Sequence, residues 1–312
     1  GHNGMVGSAL LNYLSRITDV EILTAEKKNL NLLDQESVNK FFKFNKFDEV
    51  YIAAARVGGI YANNTFPANF IYENLMIQCN LIQAAHNSDI NKLLFLGSSC
   101  IYPKIVEQPM TEDSLLSSKL ESTNEPYAVA KIAGIKLCES FNRQYGRDYR
   151  SVMPTNLYGP NDNFHPKNSH VIPGLIRRFH DAKINNIDSV SVWGSGSPKR
   201  EFLYVDDMAK GCIHIMNLDQ KTLDESVSKT QSHINIGSGN EISIKNLVNL
   251  IADIIEYNGE IYFDKRMPDG TSRKLLSVDL INKLGWSSSI ELNNGLKETY
   301  KWFLEHKDSY RS

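Results

Sequence analysis

Lys92-Leu93-Leu94-Phe95-Leu96-Gly97 runs four apolar residues in unbroken succession and closes on a glycine. A strand with one wet face alternates polar and apolar residues. A continuous run of this kind is what a strand covered on both faces requires. Asp48-Glu49-Val50-Tyr51-Ile52-Ala53-Ala54-Ala55 has the same texture, and residues 149–156 form a further extended run ending Pro154-Thr155-Asn156. Val20-Glu21-Ile22-Leu23 reads as a short strand. Between these lie helical patterns, notably over residues 74–86 and 127–145. Alternating strands and helices predict a parallel sheet with right-handed crossovers, an α/β, Rossmann-type doubly wound fold.

The chain opens on Gly1-His2-Asn3-Gly4-Met5-Val6-Gly7, with no methionine and no strand before it. Ala9, Leu10, Tyr13 and Leu14 then give a helix an apolar face. A glycine-rich phosphate turn ordinarily joins a buried strand to a helix. We therefore expect a shortened chain that lacks its central first strand, leaves backbone groups of both neighbours unpaired, and is less stable than a chain that has it. After Tyr158 the texture changes to loops, Gly159-Pro160-Asn161-Asp162-Asn163 and His165-Pro166, and then to short mixed elements. This places a soft boundary near residue 160. Residues 1–160 are expected to form the cofactor-binding domain. Residues 161–312 are expected to be mainly a smaller α/β substrate domain, with some segments returning to the first.

Composition narrows the function. The chain has 312 residues, 41% hydrophobic and 22% charged, and 34 cations against 36 anions give a net charge of −2. That balance does not recommend nucleic acid as a partner. No run approaches the roughly 20 apolar residues of a membrane helix. Cys79, Cys100, Cys138 and Cys212 are scattered without CxxC spacing, which argues against zinc or a disulfide framework and for a reducing cytoplasm.

Three groups of residues carry chemistry. Gly1, Gly4 and Gly7 let the backbone turn tightly and approach a pyrophosphate at a helix N-terminus, a pattern that alone also fits a plain glycine turn. At the end of the second strand, Glu26 would suit the ribose hydroxyl of NAD, whereas Lys27 and Lys28 suit the phosphate of NADP, and the balance favours NADP. Tyr127 and Lys131, four apart, share one face of a helix, and Ser98 follows a buried strand. A free phenol titrates near ~10, so a neighbouring ammonium is expected to lower that value and make Tyr127 an acid–base group. Taken alone, the Tyr-x-x-x-Lys spacing fits an ordinary amphipathic helix. Cys100, two residues after Ser98 on an extended chain, is expected on the same side as that serine. It also fits a small buried hydrophobe. His170 is its candidate partner, or equally a surface histidine. Arg177-Arg178, Trp193 and Lys199-Arg200 suit the phosphates and base of a nucleotide, or are scattered surface charge. Asp269 and Lys274, in Pro268-Asp269-Gly270-Thr271-Ser272-Arg273-Lys274, face one pocket or simply solvent.

These residues together resemble the extended short-chain dehydrogenase/reductases that act on nucleotide sugars, through the glycine turn, Tyr127-x-x-x-Lys131 and Arg200-Glu201-Phe202-Leu203-Tyr204-Val205-Asp206-Asp207. The resemblance is closer to the GDP-L-fucose synthase family, and it extends over essentially the whole chain. It rests on Val57-Gly58-Gly59-Ile60-Tyr61-Ala62-Asn63-Asn64, Gly97-Ser98-Ser99-Cys100-Ile101-Tyr102-Pro103 and Asn124-Glu125-Pro126-Tyr127. It continues through Pro154-Thr155-Asn156-Leu157-Tyr158-Gly159-Pro160, Asp162-Asn163-Phe164-His165-Pro166 and Ser169-His170-Val171-Ile172-Pro173.

The resemblance implies a reductase group of Ser98, Tyr127 and Lys131, with Cys100 and His170 as base and acid for epimerisation. It implies NADP(H) contacts from Gly1, Asn3, Gly4, Met5, Val6, Gly7, Lys27, Leu96, Gly97, Ser98, Ser99, Lys131, Pro154, Thr155, Asn156, Leu157 and His170. Arg178, Trp193, Arg200, Asp269 and Lys274 would hold GDP-4-keto-6-deoxy-D-mannose, and relatives of this type imply a homodimer. Relatives often carry arginine where this chain has Asn3, which leaves the NADP preference on Lys27. Two other readings remain open: an NAD-dependent nucleotide-sugar 4-epimerase or dehydratase of the same fold, and a non-catalytic NADP-sensing protein.

Overall fold

The computed structural model describes residues 1–166, 168–267 and 269–306. In chain order it contains α1 (Met5–Leu14), α2 (Gln35–Phe44), β1 (Glu49–Ile52), α3 (Ile60–Thr65), α4 (Pro67–Asn87) and β2 (Lys92–Leu96). Then come α5 (Glu125–Tyr145), β3 (Asp148–Pro154), β4 (Asn156–Tyr158), α6 (Val171–Ile184), β5 (Ser189–Trp193) and β6 (Lys199–Tyr204). The rest is α7 (Val205–Asn217), α8 (Gln220–Ser226), β7 (Ile234–Ile236), β8 (Glu241–Ser243), α9 (Ile244–Ile255), β9 (Glu260–Asp264), β10 (Arg273–Lys274), α10 (Asp279–Lys283) and α11 (Leu292–Glu305).

The main sheet runs β1-β2-β3-β7, parallel throughout, with Val50 beside Leu93, Phe95 beside Ser151 and Val152 beside Ile234. Strand β2 explains the two layers. Leu93 and Phe95 face the core built with α2, α4 and α5, while Leu94 and Leu96 face the core built with α1 and α7. Each such side chain taken out of water contributes about 1.5–3 kcal/mol, which is why the run carries no polar residue. Helix α5 has proline in its first turn and ends on Gly146, whose φ of 67° suits glycine. Its mid-helix Gly134 is where Phe95 lies, and a Cβ there would stand 2.3 Å from the ring.

Val20-Glu21-Ile22-Leu23 is not a strand. Its backbone has no ladder partner among the described residues, and Val20 and Leu23 are exposed. Without a neighbour to share hydrogen bonds, β-forming residues alone do not make a strand. On the side of β1 away from β2, no strand pairs with it among the described residues.

A second group of strands follows. β6 is flanked by β4 and β10 in parallel and by β8 in antiparallel, and β5 pairs with β9. With α6, α9 and α11 they enclose a third core around Phe164, Phe179, Leu247 and Phe303. Helix α7 and strand β7 return to the main sheet.

Candidate active site

In an open parallel sheet, ligands sit beyond the carboxyl ends of the strands. At the end of β2, Gly97 donates its N–H to Val152 O at 2.9 Å. A Cβ on Gly97 would meet Met153 Cε at 2.2 Å, so a side chain here would have to push that buried methionine aside. Ser98 is extended, but residues 99–101 then form a turn of 3-10 helix instead of continuing the strand. The Ser98 hydroxyl accepts the Cys100 N–H at 3.3 Å, a local bond that competes with extended backbone. Ser98 and Cys100 are therefore brought together by a serine-capped turn and not by strand alternation.

One turn apart on α5, Tyr127 and Lys131 face this end of β2. Lys131 is buried, its Nζ donating to Leu96 O at 2.7 Å and lying 5.8 Å from the Tyr127 ring centroid. Burial disfavours its charge and lowers its pKa to about 8. The Tyr127 phenol moves the opposite way from the sequence expectation. Burial, then the neighbouring Cys100, raises it well above the usual tyrosine value, and a hydrogen bond with Ser98 opposes this only in part. Burial of the phenol outweighs any lowering by Lys131, whose Nζ lies 5.8 Å from the ring centroid. Phe70 packs edge-on to the Tyr127 ring at 6.3 Å.

The Cys100 Sγ receives two donors, Asn124 Nδ2 at 3.3 Å and Lys274 Nζ at 3.8 Å. The sequence singles out Lys274 only as a pocket candidate and gives Asn124 no role. Asn124 occupies the N-cap position of α5, three residues before Tyr127, and that position is the one signal that marks it. His170, at the N-cap of α6, keeps an exposed face. Crowding by the surrounding protein, then the Lys274 ammonium, lowers its imidazole below the usual histidine value. Lys274 thus acts on both the thiol and the imidazole. The loop carrying His170 abuts the Gly58-Gly59 loop, where a Cβ on Gly59 would lie 3.3 Å from Ser169 O.

The residues fit a dinucleotide phosphate. Gly4 is the N-cap of α1 and offers no side-chain cap, so the first N–H groups of Met5, Val6 and Gly7 point outward for an anion. A Cβ on Gly7 would stand 2.1 Å from Gly1 O, and one on Gly1 would stand 2.2 Å from Ala53 O, so Gly7 closes the turn on Gly1 and Gly1 seats it against the end of β1. Asn3 is exposed beside them. Lys28 is paired with Glu26 at 2.9 Å, and Lys27 is the cation of that segment with no salt bridge among the described residues. Leu96, Gly97 and Ser99 are buried at the end of β2. Pro154, Thr155, Asn156 and Leu157 carry the chain from β3 to β4, where Thr155 N–H binds Ile236 O at 3.0 Å and Asn156 Nδ2 binds Glu201 O at 2.8 Å.

The cation cluster is also assembled. Arg178 donates to Ser191 O at 2.9 Å, two residues before the exposed Trp193. Asp269 accepts from Ser195 N and Ser195 Oγ, each at 2.6 Å, and so pins the turn after Trp193. Arg200 stands opposite Lys274 in the β6–β10 register, and a Cβ on Gly270 would lie 3.4 Å from its Nη2. Trp193, Asp269, Arg200 and Lys274 therefore form one continuous wall reaching Cys100. Pro268 lies outside the described residues. Arg177 and Lys199 have other duties, bracing Phe164 O at 3.0 Å and Glu241 at 3.0 Å.

Comparison with known proteins agrees with this layout. The model of the NAD dependent epimerase/dehydratase family matches residues 1–237. GDP-L-fucose synthase of Escherichia coli (strain K12) is 59% identical over 311 residues, covering 100% of this chain and 97% of that protein. A GDP-6-OMe-4-keto-L-xylo-heptose reductase from C. jejuni superposes with TM-score 0.91 at 35% identity, covering 98% of this chain and 96% of that one. A GDP-L-fucose synthetase from Naegleria fowleri bound to NADP superposes with TM-score 0.88 at 26% identity, covering 100% and 94%. With more than half its residues shared along its full length, the chain belongs to the NAD dependent epimerase/dehydratase family and, within it, to the GDP-L-fucose synthases.

Proposed function

We propose that this chain converts GDP-4-keto-6-deoxy-D-mannose to GDP-L-fucose as an NADPH-dependent 3,5-epimerase and 4-reductase. The observation that carries the reading is the Cys100 thiol, within reach of Asn124 and Lys274 and beside Ser98, Tyr127 and Lys131. A C4 ketone acidifies the hydrogens on C3 and C5. Cys100, as thiolate, removes each in turn while the Ser98 and Tyr127 hydroxyls hydrogen-bond the enolate oxygen. His170 returns a proton to the opposite face, and before the second epimerisation Cys100 gives its proton to water and His170 takes one from water. NADPH, when bound, supplies the hydride for C4. Tyr127 gives its phenolic proton to the C4 oxygen, and burial keeps that proton in place at neutral pH.

The N–H groups that open α1, together with Lys27, suit the pyrophosphate and the 2′-phosphate of the cofactor. Arg178 and Arg200 suit the diphosphate of the GDP-sugar, and Trp193 its flat base or sugar. In this reading residues 1–160 are the cofactor domain and residues 161–312 mainly the substrate domain. A second copy docks on the paired α4 and α5, where Tyr72 and Val129 are exposed. No helix among the described residues is long and apolar enough to cross a membrane. The four thiols, all free, suit a reducing cytoplasm.

The test is one assay. With GDP-4-keto-6-deoxymannose, NADPH absorbance should fall one-for-one with product, and Cys100→Ser should lose epimerisation but retain some direct C4 reduction. Turnover without net NADPH loss would mean an epimerase or dehydratase. Cofactor binding without turnover would mean a sensor. Normal GDP-fucose output from Cys100→Ser would remove Cys100 as the base.

A further inference from the structure

Helix α5 begins at Asn124, yet the Asn124 side chain makes no capping bond to the helix. Side chains at that position ordinarily accept an N–H from the first turn. Here the amide is turned away, and its Nδ2 donates to Cys100 Sγ at 3.3 Å. The other amide atom, Oδ1, is buried with no hydrogen-bond partner among the described residues. A buried acceptor left unmet is unfavourable, and a fold tolerates one where a ligand completes it. An asparagine that gives up its cap and leaves its oxygen unmet, three residues before Tyr127, is placed for the site and not for the helix.

We infer that Asn124 is a positioning residue for the epimerisation step: its Nδ2 orients the Cys100 sulfur, and its Oδ1 accepts a hydroxyl of the bound hexose. The inference rests on the proposed role of Cys100. The donor must be N–H, because an anionic sulfur accepts and cannot donate. The carbonyl end of the same amide then necessarily faces away from the sulfur. One planar group thus fixes the distance between the base and the sugar ring. Lys274 supplies charge to the same sulfur from the other side at 3.8 Å, but a flexible ammonium sets no orientation.

The experiment uses the full chain with Asn124→Ala and Asn124→Asp. Peptide-resolved alkylation of Cys100 by iodoacetamide, followed across pH, reads the sulfur directly without turnover. Asn124→Ala should slow alkylation at neutral pH about tenfold, because the sulfur loses the N–H that holds it in place. Asn124→Asp, isosteric but without that donor, should slow it at least as much. Exchange of the substrate C3 and C5 hydrogens into D2O, with NADP+ bound to block reduction, should fall at least tenfold in both. The Km for the GDP-sugar should rise in Asn124→Ala, reporting the lost hydroxyl contact. Because the side chain does not cap α5, Tm and NADPH affinity should stay near those of the parent. Unchanged alkylation profiles in both variants would overturn the inference, as would exchange at the parent rate. Loss of exchange in Cys100→Ser with parent-like Asn124 variants would leave the proposed function standing and this inference refuted. Normal exchange in Cys100→Ser would refute the base role itself.

Discussion

Lys131→Met should change how stability depends on pH. The substitution keeps an unbranched apolar stem and removes the ammonium buried beside Leu96 O. In the folded chain that ammonium loses its proton at about 8, against 10.5 for an ordinary lysine, because burial disfavours the charge. Between those values the unfolded chain holds the proton and the folded chain does not. The unfolded state then binds more protons, and stability rises with pH. The difference, 10.5 − 8 = 2.5 units, corresponds to about 3 kcal/mol over the window. Below about 8 the full penalty is present, and above the unfolded value it is gone. Lys131→Met has no such group, so its advantage over the parent should shrink by about 3 kcal/mol from neutral pH to pH 10.5, most of it by pH 10. The carbonyl of Leu96, which loses a donor, contributes equally at every pH and drops out of this comparison. Urea unfolding at 25 °C in steps from pH 7 to 10 measures both curves. Reduction of the 4-keto sugar should be lost in the variant at all of these values. Parallel stability curves for the two proteins would refute the burial argument.

Lys27→Ala should raise the Km for NADPH several-fold and leave that for NADH nearly unchanged, as expected when one exposed cation–phosphate contact of about 1 kcal/mol is removed. An unaltered preference between the two cofactors would move the 2′-phosphate elsewhere. Gly134→Ala should destabilise by about 1–3 kcal/mol in urea, because its Cβ would stand 2.3 Å from the Phe95 ring in a closed core. Asp207→Ala should lose about 2–4 kcal/mol at pH 7, since the carboxylate accepts the Ser289 and Ile290 N–H groups, each at 2.7 Å, and these would be stranded. Burial raises the Asp207 carboxyl, but those N–H groups outweigh it and hold it below the usual value. Its contribution is therefore present above the ordinary carboxylate range and is lost on acidification. The gap between parent and variant should narrow below about pH 4.

Much of this was legible because it repeats along the chain. Strand β2 announced itself through four consecutive apolar residues, and its alternate side chains do serve two different cores. The spacing of Tyr127 and Lys131 predicted one helical face, and both lie on α5. What local pattern could not supply was partnership. Val20 to Leu23 has strand-forming residues, but a ladder needs a second chain segment, and none pairs with it among the described residues. Cys100 was placed by assuming extended backbone, whereas the Ser98 hydroxyl tips the chain into a turn. Asn124 stood in a recognised stretch but had no role, because its meaning depends on a sulfur 24 residues away. Asp269 was placed facing a pocket or solvent, and its tie to Ser195 is a contact 74 residues distant that no local pattern marks. Periodicity reports which face is buried; it does not report which remote atom a polar side chain meets.

The raised Tyr127 phenol resolves a conflict in the two-step chemistry. Epimerisation must come first, because a C4 alcohol no longer acidifies C3 and C5. During that step negative charge gathers on the C4 oxygen, and the group facing it must donate a hydrogen bond. A phenolate there would repel the enolate and could donate nothing. Reduction then needs a proton at the same oxygen, since an alkoxide is far more basic than a phenolate. One neutral phenol satisfies both demands in succession with the same atom and the same protonation state. Had Lys131 pulled Tyr127 down toward neutrality, as the spacing alone suggests, the reductase step of the reverse direction would gain and the epimerase step would lose. Burial of the phenol, then the neighbouring Cys100, keeps the proton on the tyrosine until the hydride makes it needed.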